Sequence, residues 1–130
     1  MNRVAILGAS GYVGGELLRI LHAHPELDVV VAFGASAAGK RVADVHPHLS
    51  LAYPDLVHAA WDPVLLAGAD LIFAALPHGE TQRLADELLA PEIPIVDLGA
   101  DFRLDSATEF EAWYGEPHQR PDLLGSFTYG

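Results

Sequence analysis

The chain contains no cysteine and a single methionine in 130 residues. The first absence excludes a disulfide scaffold and any thiol chemistry performed by this polypeptide, though it says nothing about compartment. Positive charge is also scarce. Seven Lys and Arg stand against 18 Asp and Glu, and the formal net charge of −11 argues against nonspecific binding to nucleic acid or an anionic membrane. A small anionic ligand is not excluded, because a helix N-terminus acts locally whatever the overall sign. No stretch approaches the ~18 consecutive apolar residues of a transmembrane helix. The start, Arg3 followed by apolar residues, is broken by Glu16 and Arg19 and does not read as a signal peptide, so a cytoplasmic location is expected. Repeats, low-complexity tracts and interdomain linkers are missing too. With 51% hydrophobic and 19% charged residues, the composition is that of one globular domain.

What the chain does have is a glycine turn, Gly8, Gly11 and Gly14, directly after the apolar run Val4 to Leu7 and directly before an amphipathic segment. This order predicts a strand feeding a phosphate-binding turn at a helix N-terminus, where unpaired N–H groups and the positive end of the helix dipole favour a diphosphate. Gly8 would make the sharp turn, Gly11 would let phosphates approach the backbone, and Gly14 would let the helix lie close on the strand. The spacing G-x-x-G-x-x-G is one residue longer between its first two glycines than the common dinucleotide fingerprint. A merely structural turn is the alternative reading.

The rest alternates between strands and helices. A helix over Tyr12 to His22 carries Val13, Leu17, Ile20 and Leu21 as its apolar stripe, and Pro25 closes that region. Val29 to Phe33 is apolar throughout, as in a strand covered on both faces. A glycine- and alanine-rich loop, Gly34 to Lys40, follows. Between Arg41 and Trp61 the pattern is weakest, with a short strand at Leu56 to Ala60. Asp70 to Leu76 is a strand, Glu80 to Leu89 a helix with Leu84, Ala85, Leu88 and Leu89 inward, and Ile93 to Leu98 another strand. Ser106 to Glu109 is a capping box opening a helix that groups Phe110, Trp113 and Tyr114 in a core or interdomain contact. Together these predict an α/β fold of the Rossmann type, a doubly wound, mostly parallel sheet with helices on both faces.

Which dinucleotide depends on the end of the second strand, where an acidic residue would hold the ribose hydroxyls of NAD. Asp28 has the right count but lies before the strand. The loop after it has no carboxylate, a hydroxyl in Ser36, and Lys40 and Arg41 at its far end. NADP is therefore favoured, with Lys40 and Arg41 read either as phosphate partners or as a solvated pair.

Several segments also resemble N-acetyl-gamma-glutamyl-phosphate reductase. They are Gly8 to Leu18, His24-Pro25, Ala38 to Lys40 leading to His46-Pro47-His48-Leu49, Ala75 to Gly79, Asp97 to Leu104, Trp113 to Gly115, His118, Pro121 and Tyr129-Gly130. The resemblance runs along essentially the whole chain but covers only the N-terminal part of such an enzyme. The carrier-protein-linked aminoadipyl phosphate reductase of lysine biosynthesis shares most of these segments, and aspartate-semialdehyde dehydrogenase shares the glycine pattern.

The resemblance implies an NADPH-dependent reduction of an acyl phosphate to a semialdehyde. In that family a cysteine thiolate attacks the acyl carbon, phosphate leaves, and hydride reduces the thioester, with a histidine of the later domain as acid/base. The chain has no such cysteine, so no catalytic residue is assigned and residues 1–130 are expected to be the cofactor-binding domain, inactive alone, with the catalytic and dimerisation domain outside it. Acyl phosphate would be met only with that domain, and the full-length form would be a homo-oligomer. A non-catalytic NADP-sensing module is the alternative of another class.

By the same resemblance Ser10, Gly11, Tyr12 and Val13, between Gly8 and Gly14, fall on the phosphate-contact stretch. Ser36 falls where the family often has a Ser-Arg pair, of which the arginine is missing. Pro77 and His78 lie past a strand's carboxyl end and would border the nicotinamide, or His78 merely starts the next helix. His46-Pro47-His48 has a metal-like look, yet the proline and the lack of a nearby acidic or thiol ligand favour a structured loop and no metal. Asp97, Asp101 and Arg103 are expected to make an internal salt bridge or turn hydrogen bonds rather than meet an anionic substrate through Arg103. Asp62, Glu80, Asp86 and Glu87 read as solvated.

Overall fold

In the computed structural model, which describes residues 1–129, β1 (Asn2–Leu7) is the central strand. Gly130, the last residue of the Tyr129-Gly130 pair, lies outside the described residues. After β1 come α1 (Tyr12–His22), β2 (Leu27–Phe33), the short α2 (Val42–Val45) and β3 (Leu71–Ala74). Then follow α3 (Glu80–Arg83), α4 (Ala85–Leu89), β4 (Ile95–Asp97) and α5 (Ala107–Tyr114). Short 3₁₀ segments occupy Pro47–Leu49, Pro63–Gly68 and Pro121–Ser126, each opened by its proline.

All the strand pairs are parallel, in the order β2-β1-β3-β4. Chain order therefore runs one way from β1 to β2 and the other way from β1 to β3. The crevice at that reversal, outside the carboxyl ends of the strands, is where such sheets bind ligands.

The pleat of β1 divides the core. Val4 and Ile6 point to the face packed by Leu18 and Leu21 of α1 with Val42 and Leu49, whereas Ala5 and Leu7 pack with Leu66, Ile72, Leu84 and Leu88 on the other. All four are buried, as a strand sandwiched between two helical layers requires. A third small cluster joins Ala85, Phe102 and Leu124, and Phe127 stacks on Phe102 with ring centroids 4.3 Å apart.

The doubly wound parallel architecture is as the sequence predicts, but several local expectations are corrected. In α1 the buried residues are Gly14, Gly15, Leu18 and Leu21, while Val13 is 53% and Ile20 49% exposed. Positions 14, 18 and 21 share a face at helical spacing. Glycine carries no hydropathy signal, so the stripe read from the apolar residues was rotated towards solvent. β2 begins at Leu27, placing Asp28 inside the strand, though still at its amino end. Leu56 to Ala60 forms no strand and makes only isolated bridges, Val57 to Arg41 and Ala59 to Phe33. The helix expected over Glu80 to Leu89 is interrupted at Leu84, whose φ of −95° and ψ of 3° separate α3 from α4. In α5, Ser106 Oγ accepts from the Glu109 N–H at 3.3 Å, so the cap forms. Phe110 is fully buried, whereas Trp113 lies 79% exposed and is not core. Among the described residues no helix is long and apolar enough to cross a membrane.

Candidate nucleotide-binding cleft

The glycine turn is built by two glycines that the protein itself requires and one that it does not. Gly8 has φ +76°, and a Cβ there would lie 2.1 Å from the carbonyl oxygen of Ala75, at the end of β3. A Cβ on Gly14 would sit 2.2 Å from the Gly8 oxygen and 2.6 Å from Ala9 Cα. The close approach at Gly14 is thus to the turn itself, rather than to the strand. Gly11 differs. Its backbone is extended (φ −82°, ψ 179°), and a Cβ would meet only the Gly8 oxygen, at 3.7 Å. Nothing within the chain demands glycine there; the space it leaves opens into the cleft.

Gly11 is also the N-cap of α1, with no side-chain cap and no acidic residue in the first turn. Eleven residues of helix dipole therefore end on amides that no carboxylate among the described residues satisfies. Behind the turn, the buried His46 donates from Nε2 to the Ala9 carbonyl at 2.8 Å, its ring packed beside Gly15. A carbonyl only accepts, so the proton sits on Nε2. His46 is thus a structural brace, and among the described residues no group of three or more His, Asp or Glu is placed to hold a metal.

The cleft above the turn has a volume of about 710 Å³. Gly8, Ser10, Gly11, Tyr12 and Val13 line it from the turn and α1, Ser36 from the loop after β2, and Pro77 and His78 from the loop after β3. Gly14 lies beneath, shaping the turn without lining the cleft. Tyr12 is wholly exposed. Sequence reading missed Trp61, Glu80, Arg83 and Leu84, which line the same space. Trp61 comes from the stretch with the weakest pattern, and its ring meets Phe33 edge-on at 5.0 Å. Lys40 and Arg41 are not among the lining residues, and Arg41 is taken up by Asp44 at 2.9 Å.

The loop after β3 is held from below by a buried carboxylate. Asp101 is 1% exposed and accepts from the N–H of Gly79 (2.9 Å) and of Gln82 (3.0 Å), which fixes the start of α3. His118 Nε2 donates to the Asp101 carbonyl at 2.6 Å, and Gln82 Oε1 accepts from Gln119 N–H at 2.7 Å. His78 precedes α3 in the loop, its ring stacked on Phe110 (5.6 Å, 6° between planes) and its Nε2 2.6 Å from Glu116 Oε1. Asp97 makes a turn bond to Gly99 N–H at 2.9 Å. Its other oxygen is buried without a partner, and burial pushes its carboxyl above the ordinary aspartate range. Among the described residues the Arg103 side chain reaches only the Gly99 carbonyl, at 3.4 Å. Internal bonding of Asp97 and Arg103 within the turn therefore agrees with expectation, whereas the Asp101 carboxylate bonds residues 19 and 22 positions away.

A parallel sheet reversing at β1, a glycine turn wedged against the neighbouring strand and an uncapped helix start opening on a cleft define a dinucleotide-binding domain of the Rossmann class. Residues 3–126 match the semialdehyde dehydrogenase, NAD binding domain, family. The chain belongs to that family. A protein of Ectopseudomonas mendocina named N-acetyl-gamma-glutamyl-phosphate reductase is 45% identical over 130 residues, 100% of this chain and 38% of its own length. One from Pseudomonas putida KT2440, named N-acetyl-gamma-glutamyl-phosphate reductase 1, is 46% identical over the same shares. The chain thus spans 38% of the length of these curated relatives. Among solved structures, the aspartate semialdehyde dehydrogenase of Candida albicans with NADP superposes with a TM-score of 0.71, at 22% identity over 82% of this chain and 32% of that one. A lactate dehydrogenase from Cryptosporidium parvum follows at 0.55, with 20% identity over 90% of this chain and 41% of its own. At such identities the likeness is one of fold.

Proposed function

We propose that residues 1–130 are the NADPH-holding domain of an acyl-phosphate reductase that forms N-acetyl-glutamate semialdehyde for arginine biosynthesis, acting in the cytoplasm as part of a homo-oligomer. The identity of 45% along the whole chain to proteins named for that reaction supports the substrate class. The cofactor reading rests above all on Gly11, a glycine whose Cβ space belongs to no part of the protein and opens on uncapped helix amides.

In this reading Gly8, Ser10, Gly11, Tyr12, Val13 and Gly14 form or shape the diphosphate cradle. Ser36 lies on the adenosine side, and Pro77 and His78 border the nicotinamide. The bound nucleotide supplies hydride. The chain's own residues bind and orient it: α1 offers its amides to the diphosphate, and Asp101 keeps the Pro77–His78 loop in register through Gly79 and Gln82. No cysteine is present to serve as acyl acceptor, so this polypeptide holds the nucleotide and does not turn over acyl phosphate by itself.

The test is thermal unfolding of the chain with and without NADPH. Saturation near 100 Kd adds about 2.7 kcal/mol, a rise on the order of 10 °C. Gly11→Val fits the extended backbone, keeps the fold and removes that rise. A variant that shifts as far as the wild type refutes the cradle.

A further inference from the structure

Resting on the reading of the cleft as an NADP site, we propose that Arg83, on α3, is the residue that distinguishes NADPH from NADH by taking the 2′-phosphate in exchange for Glu80. A 2′-phosphate at the carboxyl end of β2 needs a cation, and the loop there supplies none to the cleft. Arg41 is paired with Asp44, and Lys40 does not line the space. Arg83 is the one Lys or Arg among the described residues that line the cleft.

Its position follows from packing. Leu84, the next residue, lies in the same apolar cluster as Phe33, the last residue of β2, and Trp61 packs against that cluster. From Phe33 the chain continues directly into Gly34, Ala35 and Ser36, all of which line the cleft. The ends of β2 and α3 thus meet one apolar cluster, and Ser36 and Arg83 both line the cleft above it.

The Arg83 side chain is 60% exposed and its guanidinium is held by Glu80, at 2.8 Å from Nη2 and 3.1 Å from Nε. An ion pair so open to solvent is weak and readily exchanged. A phosphate matches the same planar fork of donors with a larger charge. Glu80, the one carboxylate among the described lining residues, then serves as the counter-charge that keeps Arg83 at the cleft until phosphate replaces it.

Dissociation constants of NADPH and NADH for the 130-residue chain and its Arg83→Gln, Arg83→Glu and Gly11→Val variants test this. Arg83→Gln should weaken NADPH about ten- to a hundredfold and leave NADH as it was, the fall expected for a lost charged hydrogen-bonded contact. Arg83→Glu should reverse the preference, and unchanged NADH binding shows that the fold is intact. Equal losses for both nucleotides, or no loss, overturn the proposal. A wild type that binds NADPH and loses it in Gly11→Val but not in Arg83→Gln sinks the selector alone. A wild type that binds neither nucleotide brings down the cleft reading with it.

Discussion

His46 and Ala9, 37 residues apart in the chain, are joined by a buried hydrogen bond of 2.8 Å that braces the glycine turn from the side away from the cleft. Replacing His46 with alanine leaves the Ala9 carbonyl without its partner and a void beside Gly15. A loss of about 1–3 kcal/mol of stability is expected from the unsatisfied carbonyl. Nucleotide binding should weaken as well, because the turn loses its support. Urea unfolding and a nucleotide titration of the same variant measure both.

The three turn glycines should respond differently to alanine. Gly8→Ala combines a left-handed backbone with a 2.1 Å clash against Ala75, and a cost of about 3 kcal/mol or more is expected. Gly14→Ala meets backbone at 2.2 Å and should be comparably harmful. Gly11→Ala should cost no more than about 1 kcal/mol, the penalty of alanine at an N-cap. Its main effect should be on ligand binding. Three denaturation curves decide the matter.

Asp101 carries two backbone amides on a fully buried carboxylate. Asp101→Ala orphans both, and a loss of about 3 kcal/mol is expected for hydrogen bonds to a charged group. The amides of Gly79 and Gln82 should then exchange faster with deuterium than those of β1.

Asp97 gives the pH dependence its sign. Burial, followed by the nearby charge of Asp101, raises its carboxyl above the unfolded value, against the opposing bond from Gly99. The folded state therefore binds this proton more tightly than the unfolded state. Asp97 penalises folding when ionised, and that penalty is relieved as pH falls through its raised folded pKa. Relative to Asp97→Asn, the wild type should gain stability on mild acidification from neutral pH. A constant difference between the two proteins across that range would contradict the assignment.

The elements that position the cleft were legible because their signals are local. The apolar run of β1 and the turn glycines sit within one short segment, and the alternation of later strands and helices fixes a parallel sheet. What escaped was information carried by residues without hydropathy or by distant packing. Gly14 and Gly15 form the inward face of α1, yet no periodicity count registers them. Glu80 reads as solvated in the sequence, and only the fold brings it and its ion-pair partner Arg83 to the cleft. Trp61 reaches it by folding back from the stretch between β2 and β3, where three prolines and isolated bridges leave no strand to recognise. His46 could have been suspected from its tie to a structured loop, but its partner Ala9 is a backbone carbonyl that any residue would offer.

The contact between Gly8 and Ala75 has a mechanical consequence. Backbone rests on backbone there, with no side chain between to act as a spring, so the tips of β1 and β3 form a single anvil. Any tightening around a captured nucleotide must come from pieces hung outside it, namely the Ser36 loop on one flank and the Glu80–Arg83 turn on the other.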